Sequence, residues 1–222
     1  MDMICITGDM HGEYARYEDK KLKALKEDDC LIVCGDFGFV WDGSERERSV
    51  LHKITEKRFR TLFVDGTHEN FSLLQQYPVT ALYGGLAQKI TDNVFRLLRG
   101  EIYTIEGHTF FTFGGGDSAD KELRIDNGTW YREEQPTAAE MRAAAAHLDA
   151  VDRRVDYIIT HQPPMKERVL VEGISPKTPL TTFFDEIAHH VQYRRWYFGS
   201  LHKNKKLPHA HCLFTDIVPL KG

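Results

Sequence analysis

No stretch of this 222-residue chain approaches the length and apolarity of a membrane span, and neither sign of charge dominates it. With 29 Lys and Arg against 33 Asp and Glu, the net charge of −4 leaves no electrostatic footprint for a nucleic-acid partner. Lys203, Lys205 and Lys206 form a small basic cluster that reads as a solvated loop. Cysteine is scarce. Cys5, Cys30, Cys34 and Cys212 show no Cys-x-x-Cys spacing, which excludes zinc-finger and thioredoxin-type sites and argues against a disulfide framework. Their setting in or beside apolar runs reads as buried free thiols in a reducing compartment. The first strand-like run begins at Met3, so no signal peptide is expected and the expected location is the cytoplasm. Internal repeats, low-complexity tracts and linkers are also missing, and residues 1–222 are expected to form one domain.

What is present is an ordinary globular composition, 41% hydrophobic and 28% charged, long enough for one sizeable core. Strand-like runs rich in β-branched and aromatic residues occur at Met3–Thr7, Cys30–Gly35, Arg60–Asp65, Val94–Leu98, Glu101–Ile105, His108–Phe113, Val155–Thr160, Arg195–Gly199 and Cys212–Val218. Helix-like stretches lie between the early ones, at Tyr14–Lys26, Ser44–Glu56 and Glu69–Gln76. Glu106-Gly107 signals a hairpin between two of the runs. Thr137-x-x-Glu140 is a capping box that opens an Ala-rich helix to about Ala150. The early β-α-β-α-β rhythm predicts an α/β fold of stacked sheets with outer helices.

Five of the apolar runs end in metal-ligand residue types. Asp9-x-His11 follows MICITG, Asp36 follows CLIVCG, Thr67-His68-Glu69 follows TLFVDG, His161 follows VDYIIT, and His202 lies in FGSLH. Loops at the ends of several strands can converge on one site, and Asp with His is the composition of a metal centre. Each residue alone has a plainer reading. Asp36 could be a turn or helix-capping aspartate, Glu69 a helix N-terminal carboxylate, and His161 a structural histidine. A carboxylate such as Asp36, with one oxygen on each side, can bridge two cations. His68, with an ordinary pKa near 6.5, is the candidate for proton chemistry.

Taken together, Gly8-Asp9-x-His11-Gly12, Gly35-Asp36, Gly66-Thr67-His68-Glu69, His161 and Gly199-Ser200-x-His202 resemble the calcineurin-like metallophosphoesterases in order and residue type, over residues 8–202. The resemblance implies a four-layer α-β-β-α sandwich of mixed sheets with outer helices and the site at one edge. It implies that Asp9, His11, Asp36 and His202 hold a first divalent cation (Mn, Fe or Zn), that Asp36 bridges, and that His161 holds a second. His68 becomes the acid or phosphoryl-stabilising group. The activity implied is hydrolysis of a phosphate mono- or diester by attack of metal-bound water or hydroxide. Two departures bear on the second cation: Thr67 and Ser200 stand where the family pattern has Asn and His, and a neutral hydroxyl is a poor ligand unless deprotonated. The alternative is therefore a weakly active or non-hydrolytic protein of this fold with one metal. Phe39 replaces a supporting Asp of the pattern, and Val40-Trp41-Asp42 lacks the Arg of the Ser/Thr protein phosphatases, which argues for another phosphoesterase branch.

The substrate is expected to be a small phosphorylated compound. Gly114-Gly115-Gly116-Asp117, with Lys121 and Arg124 behind it, resembles a segment of small bacterial and phage members of the family. Arg124 is a candidate phosphate clamp, helped by the glycine amides. Trp41, Trp130 and Tyr131 are candidates to stack on a nucleotide base, although aromatics packed under a loop explain them as well. His209 and His211 could supply further ligands, but alternation into the following strand explains His211 more simply.

Overall fold

The computed structural model describes residues 3–220. The described residues form thirteen strands: β1 Ile4–Thr7, β2 Cys30–Val33, β3 Arg60–Phe63, β4 Val79–Leu82, β5 Gly85–Lys89, β6 Val94–Leu97, β7 Ile102–Ile105, β8 His108–Phe113, β9 Tyr157–Thr160, β10 Arg195–Phe198, β11 Lys205–Lys206, β12 Ala210–Cys212 and β13 Val218–Pro219. The helices are α1 Lys20–Lys23, α2 Glu45–Thr55, α3 Phe71–Leu74, α4 Lys121–Asp126, α5 Ala138–Asp149, α6 Met165–Glu172 and α7 Pro179–His190.

The strands form two mixed sheets. Sheet one runs β13-β1-β2-β3-β6-β5-β4 and sheet two runs β11-β12-β10-β9-β8-β7. Each has a parallel centre, β1-β2-β3-β6 in one and β8-β9-β10-β12 in the other, with antiparallel edges. Alternation along the strands sorts the core into layers. Ile4 and Ile6 of β1 face the space between the sheets with Leu62, Phe110, Tyr157 and Ile159. Cys5, between them in sequence, faces the other way and packs with Leu51, Ile54 and Leu74 of the first helical layer. Phe113 and Trp196 of sheet two pack outward against Leu148 of α5 and Phe184 of α7. The result is the expected α/β four-layer sandwich. Among the described residues no helix is long and apolar enough to cross a membrane.

Helix boundaries follow local chemistry. Ser44 caps α2 by accepting the Glu47 N–H, Thr137 and Glu140 form the expected capping box on α5, and Thr178 with Pro179 opens α7. Three expectations need correction. The stretch Tyr14–Lys26 is not one helix but a 3₁₀ turn over Tyr14–Glu18 followed by α1, because Asp19 leaves helical geometry to cap the second piece. The helix expected over Glu69–Gln76 is reduced to α3, capped by Asn70. The strand expected over Cys212–Val218 is two strands in different sheets. Between them Asn204 accepts the Phe214 and Asp216 N–H groups, so the chain turns from sheet two to sheet one.

Candidate metal centre

The expected ligand segments converge at the C-terminal ends of β1, β2 and β3 in sheet one and β9 and β10 in sheet two. One ligand atom from each of Asp9, His11, Asp36 and His202 lies within 4.8 Å of the others. Both carboxylates are almost fully buried, at 1% and 2% exposure, while His11 and His202 lie open to solvent. The Nε2 atoms of His11 and His202 are 3.0 Å apart. Two nitrogens held about 2.1 Å from one cation at a right angle sit about 3.0 Å apart, so this pair has the spacing of one coordination edge. With two carboxylate oxygens completing a mixed N/O set, these residues fit a divalent cation.

The backbone is bent to reach this arrangement. His11, Asp36, Ser200 and His202 have φ of +46°, +45°, +67° and +48°. Left-handed geometry in non-glycine residues costs energy and collects at functional sites. Two glycines permit the approach: a Cβ on Gly66 would collide with Asp36 Oδ1, and one on Gly199 with Asp9 Oδ1. Ser200 contributes its backbone, since its N–H donates to Asp9 Oδ1 at 3.1 Å and Oδ2 at 2.9 Å. Arg16 braces the first loop from behind, donating to the Asp9 carbonyl, Thr7 Oγ1 and the Phe214 carbonyl.

Asp36 presents one oxygen to each side. Its Oδ2 faces His11 Nε2 at 3.9 Å, and its Oδ1 faces His161 Nε2 at 3.7 Å. His161 is 1% exposed, with Nδ1 near the Cys34 carbonyl at 3.2 Å and Asp9 Oδ1 at 3.4 Å. Burial opposes its charge, but Asp36 and then Asp9 outweigh burial and raise its pKa to about 10. Those imidazoles act in turn on Asp36: burial pushes its carboxyl up, and His161 and then His68 pull it well below the ordinary range. Thr67 Oγ1 lies 3.5 Å from His161 Nε2 and 3.2 Å from His68 Nδ1. The second position is thus framed by Asp36, His161 and the Thr67 hydroxyl. His209 and His211 do not complete it: His209 is exposed, and His211 lines a different cleft beside Tyr197.

His68 sits between two carboxylates. Its N–H and Nδ1 meet Asp36 Oδ1 and Oδ2 at 2.8 and 3.0 Å, and its Nε2 meets Asp120 Oδ2 at 3.2 Å. The Asp36 bond is the largest influence on its pKa, which is raised despite burial. Beside His68 and His11 opens a cavity of about 460 Å3, walled by Gly12, Phe39, Trp41 and Val50. Such a volume suits a small-molecule ligand.

Several residues stand elsewhere than expected. Arg124 is buried rather than poised for phosphate, because it bonds Glu134 Oε2 at 2.8 Å and the Thr129 carbonyl at 2.9 Å. The glycine amides behind it are also engaged, Gly115 with the Asp65 carbonyl and Gly116 with that of Glu134, both at 2.8 Å. Trp130 carries Lys121 Nζ 4.5 Å from its ring centre, and Tyr131 packs near Phe71, so of the three aromatics only Trp41 lines the cavity. Glu69 does not open a helix. It is fully buried, accepts the Phe37 N–H at 2.8 Å, and is pushed up to about 8 by burial and then by Asp36.

Sequence reading missed Asp120, whose only signal was an acid in a glycine-rich loop, and Arg16, which had none. It also missed the ion cluster beneath the site. Asp65 is fully buried and receives paired bonds from Arg96 at 3.1 and 2.9 Å and from Arg99 at 3.0 and 2.6 Å. Arg96 within the apolar run VFRLL was a usable signal, since a charge in a buried strand demands a partner.

No curated protein matches this chain. Among solved structures, a phosphopantetheinyl hydrolase from Mycobacterium tuberculosis is similar, at 16% identity and a TM-score of 0.46 over 96% of this chain and 88% of that one. The family profile of the calcineurin-like phosphoesterases matches residues 3–200, a span that takes in β1 to β10 and the loops carrying Asp9, Asp36, His68 and His161. On that match, the chain belongs to the calcineurin-like phosphoesterase family.

Proposed function

We propose that this chain, as one domain over residues 1–222, hydrolyses a small phosphate mono- or diester with a divalent cation (manganese, iron or zinc) held by Asp9, His11, Asp36 and His202. The observation that carries this reading is the convergence of those four ligand atoms within 4.8 Å, beside His68 and a ligand-sized cavity. A cation there supplies a water acidified towards neutrality and positive charge against the phosphoryl oxygens. The residues do the rest. Asp36 orients the His68 ring through Nδ1, which leaves Nε2 as the nitrogen that donates a proton to the departing alkoxide. Asp120 holds that nitrogen in the free enzyme and yields it to the substrate. Trp41 forms a wall against which the leaving group, a nucleoside or another ring, can stack.

A single cation at the first position is the proposed resting state, because His161 and Thr67 form a sparse second set. The same sparseness supports the second reading, a protein of this fold that binds one cation without hydrolysis. Four free, buried thiols fit a reducing, cytoplasmic setting for either. The test pairs cation analysis of the purified protein with hydrolysis of p-nitrophenyl phosphate and bis(p-nitrophenyl) phosphate in added manganese. Turnover that is lost in Asp36→Asn supports the hydrolase; no turnover with manganese, iron or zinc leaves the binding protein.

A further inference from the structure

Facing sheets bury apolar side chains between them. Sheet two departs from that rule at one end. Across its ladders Arg195 pairs with Tyr157, Tyr197 with His211, and His211 with Lys206. Residues opposite one another in a ladder, or two apart along a strand, share a face. Tyr157 and Tyr197 pack in the inter-sheet core. Arg195, His211 and Lys206 therefore lie on the core-facing side. They line a cleft of about 600 Å3 whose opposite wall is Val218 and Pro219 of β13. This is the N-terminal end of β9 and β10, whereas His161 and His202 follow their C-terminal ends. At about 3.3 Å per residue, Tyr157 and His161 stand about 13 Å apart along the chain.

Among the described residues no carboxylate lines the cleft, although Asp216 acts on His211 from nearby. Among the described residues the Arg195 guanidinium bonds only the carbonyls of Leu207 and Ala210, at 3.4 and 3.5 Å. Among the described residues neither Arg195 nor Lys206 pairs with a carboxylate, while Arg194 at the rim is already held by Asp156 at 2.9 Å. The tyrosines are 4% and 6% exposed, and their hydroxyls, which have no hydrogen-bond partner among the described residues, are not themselves fully buried. Each hydroxyl is therefore free to bond an occupant of the cleft. Two cations without a carboxylate partner, two hydroxyls free to bond an occupant and an aromatic pair with ring centres 6.2 Å apart all border one cleft.

We propose that this cleft is a second binding site, separate from the metal centre, for a small phosphorylated compound that carries a flat ring. Arg195 and Lys206 take the phosphoryl oxygens, the tyrosine hydroxyls donate to it, and the ring lies between the tyrosines and the Val218-Pro219 wall. A dianion matches the two cations, and the wall opposite sheet two limits the occupant to a small molecule. The probe is phenylphosphonate, which has no ester bond to hydrolyse, titrated calorimetrically into the full chain in excess chelator so that the metal centre holds no cation. The expected result is saturable binding of one probe per chain. Arg195→Glu with Lys206→Glu should weaken it about tenfold or more, the scale of losing charge-assisted bonds. Lys206→Glu alone, at an exposed position where folding is not at stake, should already weaken it several-fold. No saturable binding overturns the proposal, as does binding that both substitutions leave intact. Equal affinity for methylphosphonate overturns the role assigned to the ring.

Discussion

Asp65→Asn removes one charge from the buried cluster beneath the Gly66–His68 loop, and the structure sets the size of the effect. Asp65 is fully buried and receives four guanidinium hydrogen bonds. Its loss is unequal for the two arginines. Arg99 keeps Glu140 at 3.1 Å and the Glu133 carbonyl at 2.7 Å. Arg96, 9% exposed, keeps the Gln88 side-chain oxygen at 2.8 Å and the Phe71 ring at 5.5 Å but loses its ion-pair partner. Removing one partner of a buried pair costs about 3–5 kcal/mol, and the retained shape and single acceptor of Asn place this case near the lower end. At about 2–4 °C per kcal/mol for a chain of this size, the melting temperature should fall by about 6–12 °C.

Urea denaturation at pH 7 should show the same loss with an unchanged m-value. Adding Arg96→Met to the Asn variant should restore at least about 1 kcal/mol by removing the stranded charge. The pH profile carries its own sign. Burial pushes the Asp65 carboxyl up, but Arg96 and Arg99 hold it below the ordinary value. The stabilisation is therefore complete above the unfolded pKa of about 3.9 and is lost as pH falls through the lower folded value, so wild type and variant should converge in acid. A loss below about 1 kcal/mol at pH 7, or no recovery in the double variant, would refute the account.

Three other outcomes follow from the site. His68→Ala should lower kcat by about 10²–10⁴-fold while leaving manganese affinity nearly unchanged, and His202→Ala should weaken that affinity by more than about 100-fold, the split being read by calorimetry beside steady-state rates. Asp120→Asn removes a bond that raises the His68 pKa, so the imidazole should titrate at lower pH in a carbon-13 NMR titration; an unchanged midpoint would show that Asp120 does not act on His68. Thr67→Asn with Ser200→His should raise bound cation from one towards two per chain and increase turnover, as checked by anomalous diffraction and rates. Two full sites in the unaltered chain would remove its basis.

The strand-end half of this molecule was readable in sequence because buried parallel strands are continuous apolar runs and their ligand loops follow at once. β1, β2, β3, β9 and β10 all fall inside the expected runs. What holds the loops in place was not readable. Asp65 meets Arg96 and Arg99 from 31 and 34 residues away, and His68 meets Asp120 from 52. No periodicity encodes such a meeting. Arg124 shows the converse: its position behind a glycine-rich segment suggested a phosphate clamp, and Glu134, ten residues on, decided otherwise. Sequence could also count the ligands lost at the second position, but not the electrostatics of the one that remains. His161 can serve a cation only as the neutral imidazole, and the carboxylates of Asp36 and Asp9 raise its pKa to about 10. Releasing that proton at pH 7 therefore carries a cost. Charge placed at the first position offsets those same carboxylates and so lowers that cost. The two positions should fill in order, the first preparing His161 for the second, and the missing Asn and His ligands then decide whether the second step goes to completion.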